Sequence, residues 1–203
     1  MIKIIYILAI CFSAITIAKG QDKIENVQYG FSMQAPPDWI ESNNEELLKN
    51  LGKLELSDEE LTKFLKDHKG SVLLGSFYKY DPATHAGLIP TIQVNVRANP
   101  SENFDAFTNL IELSANSMEK YFKAFDFLEE PKAIEISGKQ SIYFVCKFNL
   151  PTQSGELMKV KSRTYAIPYG KYFFQLNFTD AQSGEDNSKL FDQLIKTVVV
   201  GKE

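Results

Sequence analysis

Between Ser141 and Phe178 the side chains alternate with a period of two through three consecutive runs, each closed by a short turn. No other feature narrows the possible folds as much. In the first run Ile142, Phe144, Cys146, Phe148 and Leu150 occupy one phase, against Tyr143, Val145, Lys147 and Asn149. In the second, Met158, Val160, Ser162, Thr164 and Ala166 oppose Lys159, Lys161, Arg163 and Tyr165. Tyr172, Phe174, Leu176 and Phe178 form the apolar phase of the third. Period two sends successive side chains to opposite faces of a strand. Connections as short as residues 151–155 and Pro168-Tyr169-Gly170 leave room only for antiparallel neighbours, because a parallel pair needs a long crossover. The pattern predicts an antiparallel meander, led in by a strand over 133–136 and the turn Ser137-Gly138-Lys139.

The remaining elements are mixed. Val27, Tyr29, Phe31, Met33 and Ala35 alternate and predict a strand over 27–35, stopped by Pro36-Pro37, with Trp39 as a core anchor. Ser42 with Glu45, and Ser57 with Glu60, have the spacing of capping boxes. They predict two amphipathic helices, one carrying Leu47, Leu48 and Leu51, the other Leu61, Phe64 and Leu65. Strands follow over 71–80 and 90–97, the second alternating Ile92, Val94 and Val96. Helical spacing from Phe104 through Phe107, Ile111, Met118 and Phe122 to Phe125 predicts a long helix over 101–125, and Leu190, Phe191, Leu194, Ile195 and Val198 predict a last one over about 185–198. Strands and helices do not alternate as βαβ units, so the expected class is α+β, a central antiparallel sheet with helices packed on it.

Export is expected from the N-terminus. Lys3 precedes an uncharged apolar run over residues 4–18, and Ala18-Lys19-Gly20 ends it with small residues where a signal peptidase reads them. The expected organisation is a signal peptide over 1–20 and a single domain over 21–203, periplasmic or secreted, with no membrane span after cleavage. An uncleaved anchor, or lipidation at Cys11, is the alternative. Removing Lys3 and Lys19 from 22 basic residues leaves 20 against 26 acids, a net charge of −6. That balance argues against nucleic acid as a partner. Cys146 is the one cysteine left after cleavage, so an intrachain disulfide is excluded, and its alternation with Phe144 and Phe148 predicts a buried, inert thiol.

The motifs that carry catalysis are missing. The sequence holds two histidines, His68 in a predicted last helical turn and His85 in the loop DPATHAGLI, and neither belongs to a recognisable Ser-His-Asp or Cys-His arrangement. It contains no zinc, calcium or phosphate-loop spacing, and the acidic stretch over 180–186 (DAQSGED) is a helix-starting loop rather than a metal site. Asn177-Phe178-Thr179 matches a glycosylation sequon by chance, inside a strand. No catalytic residue, metal or cofactor is expected. One surface feature points to a partner. Lys159, Lys161 and Arg163 share a strand face, with Lys147 beside them on the neighbouring strand. Turned outward, they would form a docking face for an acidic protein. Two alternatives stay open: a carrier of a small apolar compound between the long helix and the sheet, and an enzyme with a site near His85.

The opening YGFSMQAPPDW resembles the start of PsbP-like domains, among them the extrinsic PsbP proteins of photosystem II and the bacterial DcrB-like proteins. ISGKQSIYFVCKF, YGKYFFQLNFTD and FDQLIKTV resemble their C-terminal half, so the likeness runs from about Asn26 to Val199. It implies an α/β/α sandwich and no enzyme activity. Members serve as extrinsic subunits, assembly factors, partner-binding proteins or adaptors. This chain departs from photosynthetic PsbP in its bacterial-type export signal.

Overall fold

In the computed structural model, which describes residues 23–42, 71–152 and 155–201, the alternating runs pair as expected. β1 (Lys23–Asn26), β2 (Phe31–Gln34), β3 (Ile40–Ser42), β4 (Ser71–Tyr78) and β5 (Thr91–Ala98) precede helix α1 (Phe104–Ser117). The meander β6 (Lys123–Ile136), β7 (Lys139–Pro151), β8 (Leu157–Tyr169) and β9 (Tyr172–Ala181) follows, then α2 (Ser188–Leu194) and β10 (Val199–Val200). Seven strands form one antiparallel sheet in the order β3-β4-β5-β9-β8-β7-β6. β1, β2 and β10 form a small second sheet. Ser137 and Gly138, both at positive φ, make the two-residue turn between β6 and β7, the backbone such hairpins favour.

Both faces of the large sheet bury apolar side chains. On one, Phe107, Ile111 and Ala115 of α1 pack on Ile142, Phe144, Cys146 and Phe148 of β7. On the other, Phe191 and Leu194 of α2 join the small sheet's Phe31 and Met33 over Phe174, Leu176 and Phe178. Gly75 admits the small sheet: a Cβ there would meet Ile24 Cδ1 at 2.8 Å. The result is an α+β fold whose antiparallel sheet lies between two layers.

Three boundaries differ from expectation. The strand predicted over 27–35 is a hairpin, because residues 27–30 form its turn and only Phe31–Gln34 extends as β2. The long helix stops at Ser117, followed by a 3₁₀ turn over Met118–Lys120, and the chain enters β6 ten residues before the expected start at 133. Phe125 and Phe127 fit a strand as well as a helix, and contacts across the sheet decide between them. Phe122 stacks on Phe148 with ring centroids 4.3 Å apart, and Phe127 meets Phe144 edge to face at 6.0 Å. β6 is an edge strand, so Pro131 and three register shifts against β7 are tolerated there and blunt the edge against foreign strands. The last helix is shorter than 185–198, with α2 passing into a 3₁₀ turn over Ile195–Thr197. Of the two capping-box helices only Ser42 falls in the described residues, where it ends β3; the rest of both, His68 and Cys11 lie outside them.

Cys146 is fully buried, and burial pushes its thiol up to about 12. Labelling at mildly alkaline pH should therefore be slow in the native protein and speed up by orders of magnitude on unfolding, since the thiolate is the reacting form. Native labelling as fast as in urea would mean the phase of β7 is inverted.

Candidate functional site

The basic row is assembled as the alternation requires. Lys147 lies directly opposite Lys161 across β7 and β8, Val145 opposite Arg163, and Asn149 opposite Lys159. The face they share is the one that α2 covers, since Tyr165 and Ile167, in the same phase, belong to the core under that helix. Arg163 Nη1 lies 3.1 Å from Asp192 Oδ1, its Nη2 donates to Ser188 Oγ, and its side chain is 16% exposed. Lys161 Nζ is 3.5 Å from Asp186, and Lys147 Nζ is 3.0 Å from Asp126. Lys159 is exposed. The expectation of a row turned wholly outward is therefore corrected. Alternation says which residues share a side, not what lies on top of it, and here acids of α2 and its approach do. Beneath them the rings of Tyr143 and Tyr165 lie 4.8 Å apart, tilted by 33°. Burial pushes Tyr165 up to about 12 and holds Tyr143 well above its ordinary value, so both phenols stay protonated.

His85 is exposed and stacks on Tyr80 with centroids 4.5 Å apart. The Tyr80 hydroxyl donates to Glu185 Oε2 at 2.6 Å, and Glu185 also pairs with Lys79, which donates to Asn187 Oδ1 at 2.7 Å. That hydrogen bond raises the phenol above its ordinary value, so Tyr80 is a donor and not a nucleophile beside the imidazole. The other carboxylates of 180–186 close the loop. Buried Asp180 accepts from the Asn187 backbone N–H at 2.8 Å and from its Nδ2 at 3.1 Å, and Asp186 accepts from the Ser188 N–H at 3.0 Å. Among the described residues no three His, Cys, Asp or Glu side chains gather as metal ligands, and no helix is long and apolar enough to cross a membrane.

A different surface emerges only from the register. On the α1 side of the sheet, β4, β5, β9 and β8 align Ser76, Gln93, Asn177 and Thr164 in one cross-strand row. The adjacent row is Tyr78, Thr91, Thr179 and Ser162. At about 4.8 Å between strands, each row spans roughly 14 Å. All eight side chains are uncharged hydrogen-bonding groups. The outer four are buried, and the central four, Thr91, Gln93, Asn177 and Thr179, are partly exposed. The amides are oriented in series. Arg97 Nη1 donates to Gln175 Oε1 at 3.0 Å, and Gln175 Nε2 donates to Asn177 Oδ1 at 3.2 Å. Thr164 Oγ1 donates to the same Asn177 oxygen at 3.1 Å. This fills the oxygen of Asn177 and leaves its two N–H donors for something else. The hydroxyls of Ser76 and Tyr78 are buried without a hydrogen-bond partner, an arrangement that costs about 1–3 kcal/mol each. The signal was present in TIQVNVRA and FQLNFT as a polar phase, but either strand alone reads as an ordinary wet face; pairing makes it a grid.

No family model matches the chain, and no curated protein matches it in sequence. Solved structures do. The cyanobacterial PsbP, CyanoP, of Synechocystis sp. PCC 6803 superposes with a TM-score of 0.52 at 11% identity, covering 89% of this chain and 92% of that one. The Ran-binding protein Mog1p of Saccharomyces cerevisiae gives 0.47 at 10% identity over 88% and 94%. LpqN of Mycobacterium tuberculosis, involved in cell envelope biogenesis, gives 0.45 at 15% identity over 84% and 82%. The first of these establishes the fold.

Proposed function

We propose that this chain, which has the PsbP-like fold, is a non-catalytic exported accessory module of the bacterial cell envelope that works by contact with a partner. One observation carries the reading. Among the described residues Arg163, Lys161, Asp180 and Glu185 are engaged in hydrogen bonds or ion pairs and Cys146, Tyr143 and Tyr165 are buried, whereas on the α1 side of the sheet the groups left unpartnered, the hydroxyls of Ser76 and Tyr78, are uncharged. Such groups recognise; they do not transfer protons at neutral pH. An acidic protein would meet the outer end of β7 and β8, where Lys159 is exposed with Lys147, Lys161 and Arg163 behind it.

The test is to recover the exported protein, confirm by intact mass that it begins at Gln21, and measure its saturable retention on envelope fractions. Retention is expected to be unchanged in a well-folded His68→Ala/His85→Ala double variant and reduced by Lys159→Glu at low salt. A mass that retains residues 1–20, or substrate turnover abolished by His85→Ala, would overturn the reading.

A further inference from the structure

We infer that the two polar rows across β4, β5, β9 and β8 form a binding site for a neutral saccharide, with the Asn177 amide and the Gln93 side chain as its central contacts. The inference rests on the accessory-module reading and supplies that module with a ligand.

The rows carry no charge of their own, in a chain whose mature part has a net charge of −6, so the site fits an uncharged ligand better than a phosphate or an acidic polymer. What it offers is a mixture of donors and acceptors at fixed spacing. Asn177 presents N–H donors whose direction is set by Arg97, Gln175 and Thr164 behind it. Gln93, directly opposite Asn177 on the next strand, makes no side-chain hydrogen bond among the described residues and can give and take one. At the β4 end of the rows the hydroxyls of Ser76 and Tyr78 are buried and left unpartnered by the protein, so the exposed contacts are those of Thr91, Gln93, Asn177 and Thr179. Vicinal hydroxyls of a sugar, each both donor and acceptor, suit such a set. A peptide suits it less: on a sheet face the backbone groups are already used in the ladder, so a strand could not be added as it could at an edge.

The buried hydroxyls provide the diagnostic. A residue kept for the fold should cost stability when its hydroxyl is removed. Ser76→Ala and Tyr78→Phe remove groups with no partner, so both variants should melt at or above the temperature of the parent. Gln93→Ala and Asn177→Ala should stay folded but weaken sugar binding about tenfold or more. The experiment is amide-resolved NMR titration of the mature protein with maltotriose, with N,N′-diacetylchitobiose and with a blocked neutral tripeptide. Shifts for either sugar confined to residues 76–78, 91–95 and 162–179, and lost in Gln93→Ala and Asn177→Ala, are the expected result. Tripeptide binding at these residues, sugar shifts elsewhere, or no response to either sugar at millimolar concentration would overturn the inference. If the Gln93→Ala and Asn177→Ala variants are still retained on envelope fractions like the parent, the saccharide site falls and the accessory-module reading stands. If retention is absent in the parent, that reading falls.

Discussion

Truncating Phe178 to alanine should lower the stability of the protein by about 3–5 kcal/mol, read as a fall in the urea midpoint at unchanged slope. Phe178 is fully buried on β9, the middle strand of the large sheet. Its ring meets Tyr165 of β8 at 5.5 Å and Phe191 of α2 at 5.2 Å, and Phe191 in turn meets Trp39 edge to face at 6.2 Å. The side chain thus links the sheet, the C-terminal helix and the segment after β2. Removing it leaves a cavity bounded on one side by β-ladder backbone that cannot collapse, so the cost belongs at the upper end for a core truncation. Against a total stability of about 5–15 kcal/mol this is a large share. Leu113→Ala, on α1 and 71% exposed, is the control and should change stability by no more than about 0.5 kcal/mol. Comparable losses for the two variants would mean that the layer under α2 is not the main core.

The parts of this fold that could be read from sequence are those where one face of an element decides its conformation. The runs of β7, β8 and β9 alternate over ten residues or more, and their turns are short enough to fix the neighbour; their pairing could be read directly. The segment after α1 could not, because Met118, Phe122 and Phe125 satisfy a helix while Phe125 and Phe127 satisfy a strand. The deciding partner, Phe148, is remote in sequence. Residues 27–35 failed for a related reason: five alternating residues are compatible with a strand, but Gly30 takes positive φ and the hairpin it permits lets Phe31 and Met33 reach Phe174 and its neighbours. The basic row was legible as a row and illegible as a surface. Its cover, α2, is amphipathic on its own account, and nothing in Lys159, Lys161 or Arg163 says that Asp186 and Asp192 will come to lie against them. The polar grid was least legible, since it exists only in the relative register of four strands.

Arg163→Glu should cost about 2–4 kcal/mol, although a strand face of three cations in an acidic protein reads as a place where reversal is harmless. Three features set the size. The guanidinium is mostly buried and its Nε has no partner, so it is held by the Asp192 and Ser188 contacts. A carboxylate in its place would lie near Asp192 and Glu129, both of which now feel the cation as a favourable neighbour. It would also leave the Asp192 contact to α2 unmatched; Asp192 itself is well exposed, so the larger part of the cost is the burial of the new carboxylate at the mostly buried position 163. Lys159→Glu, on the same face of the same strand but exposed, should stay within about 0.5 kcal/mol. Because burial limits screening, the loss at Arg163 should persist in high salt, and adding Asp192→Lys to Arg163→Glu should recover part of it. Urea unfolding of the four proteins at low and high salt decides the matter. Equal stabilities for Arg163→Glu and Lys159→Glu would show that α2 does not depend on this row and would return all three cations to the surface.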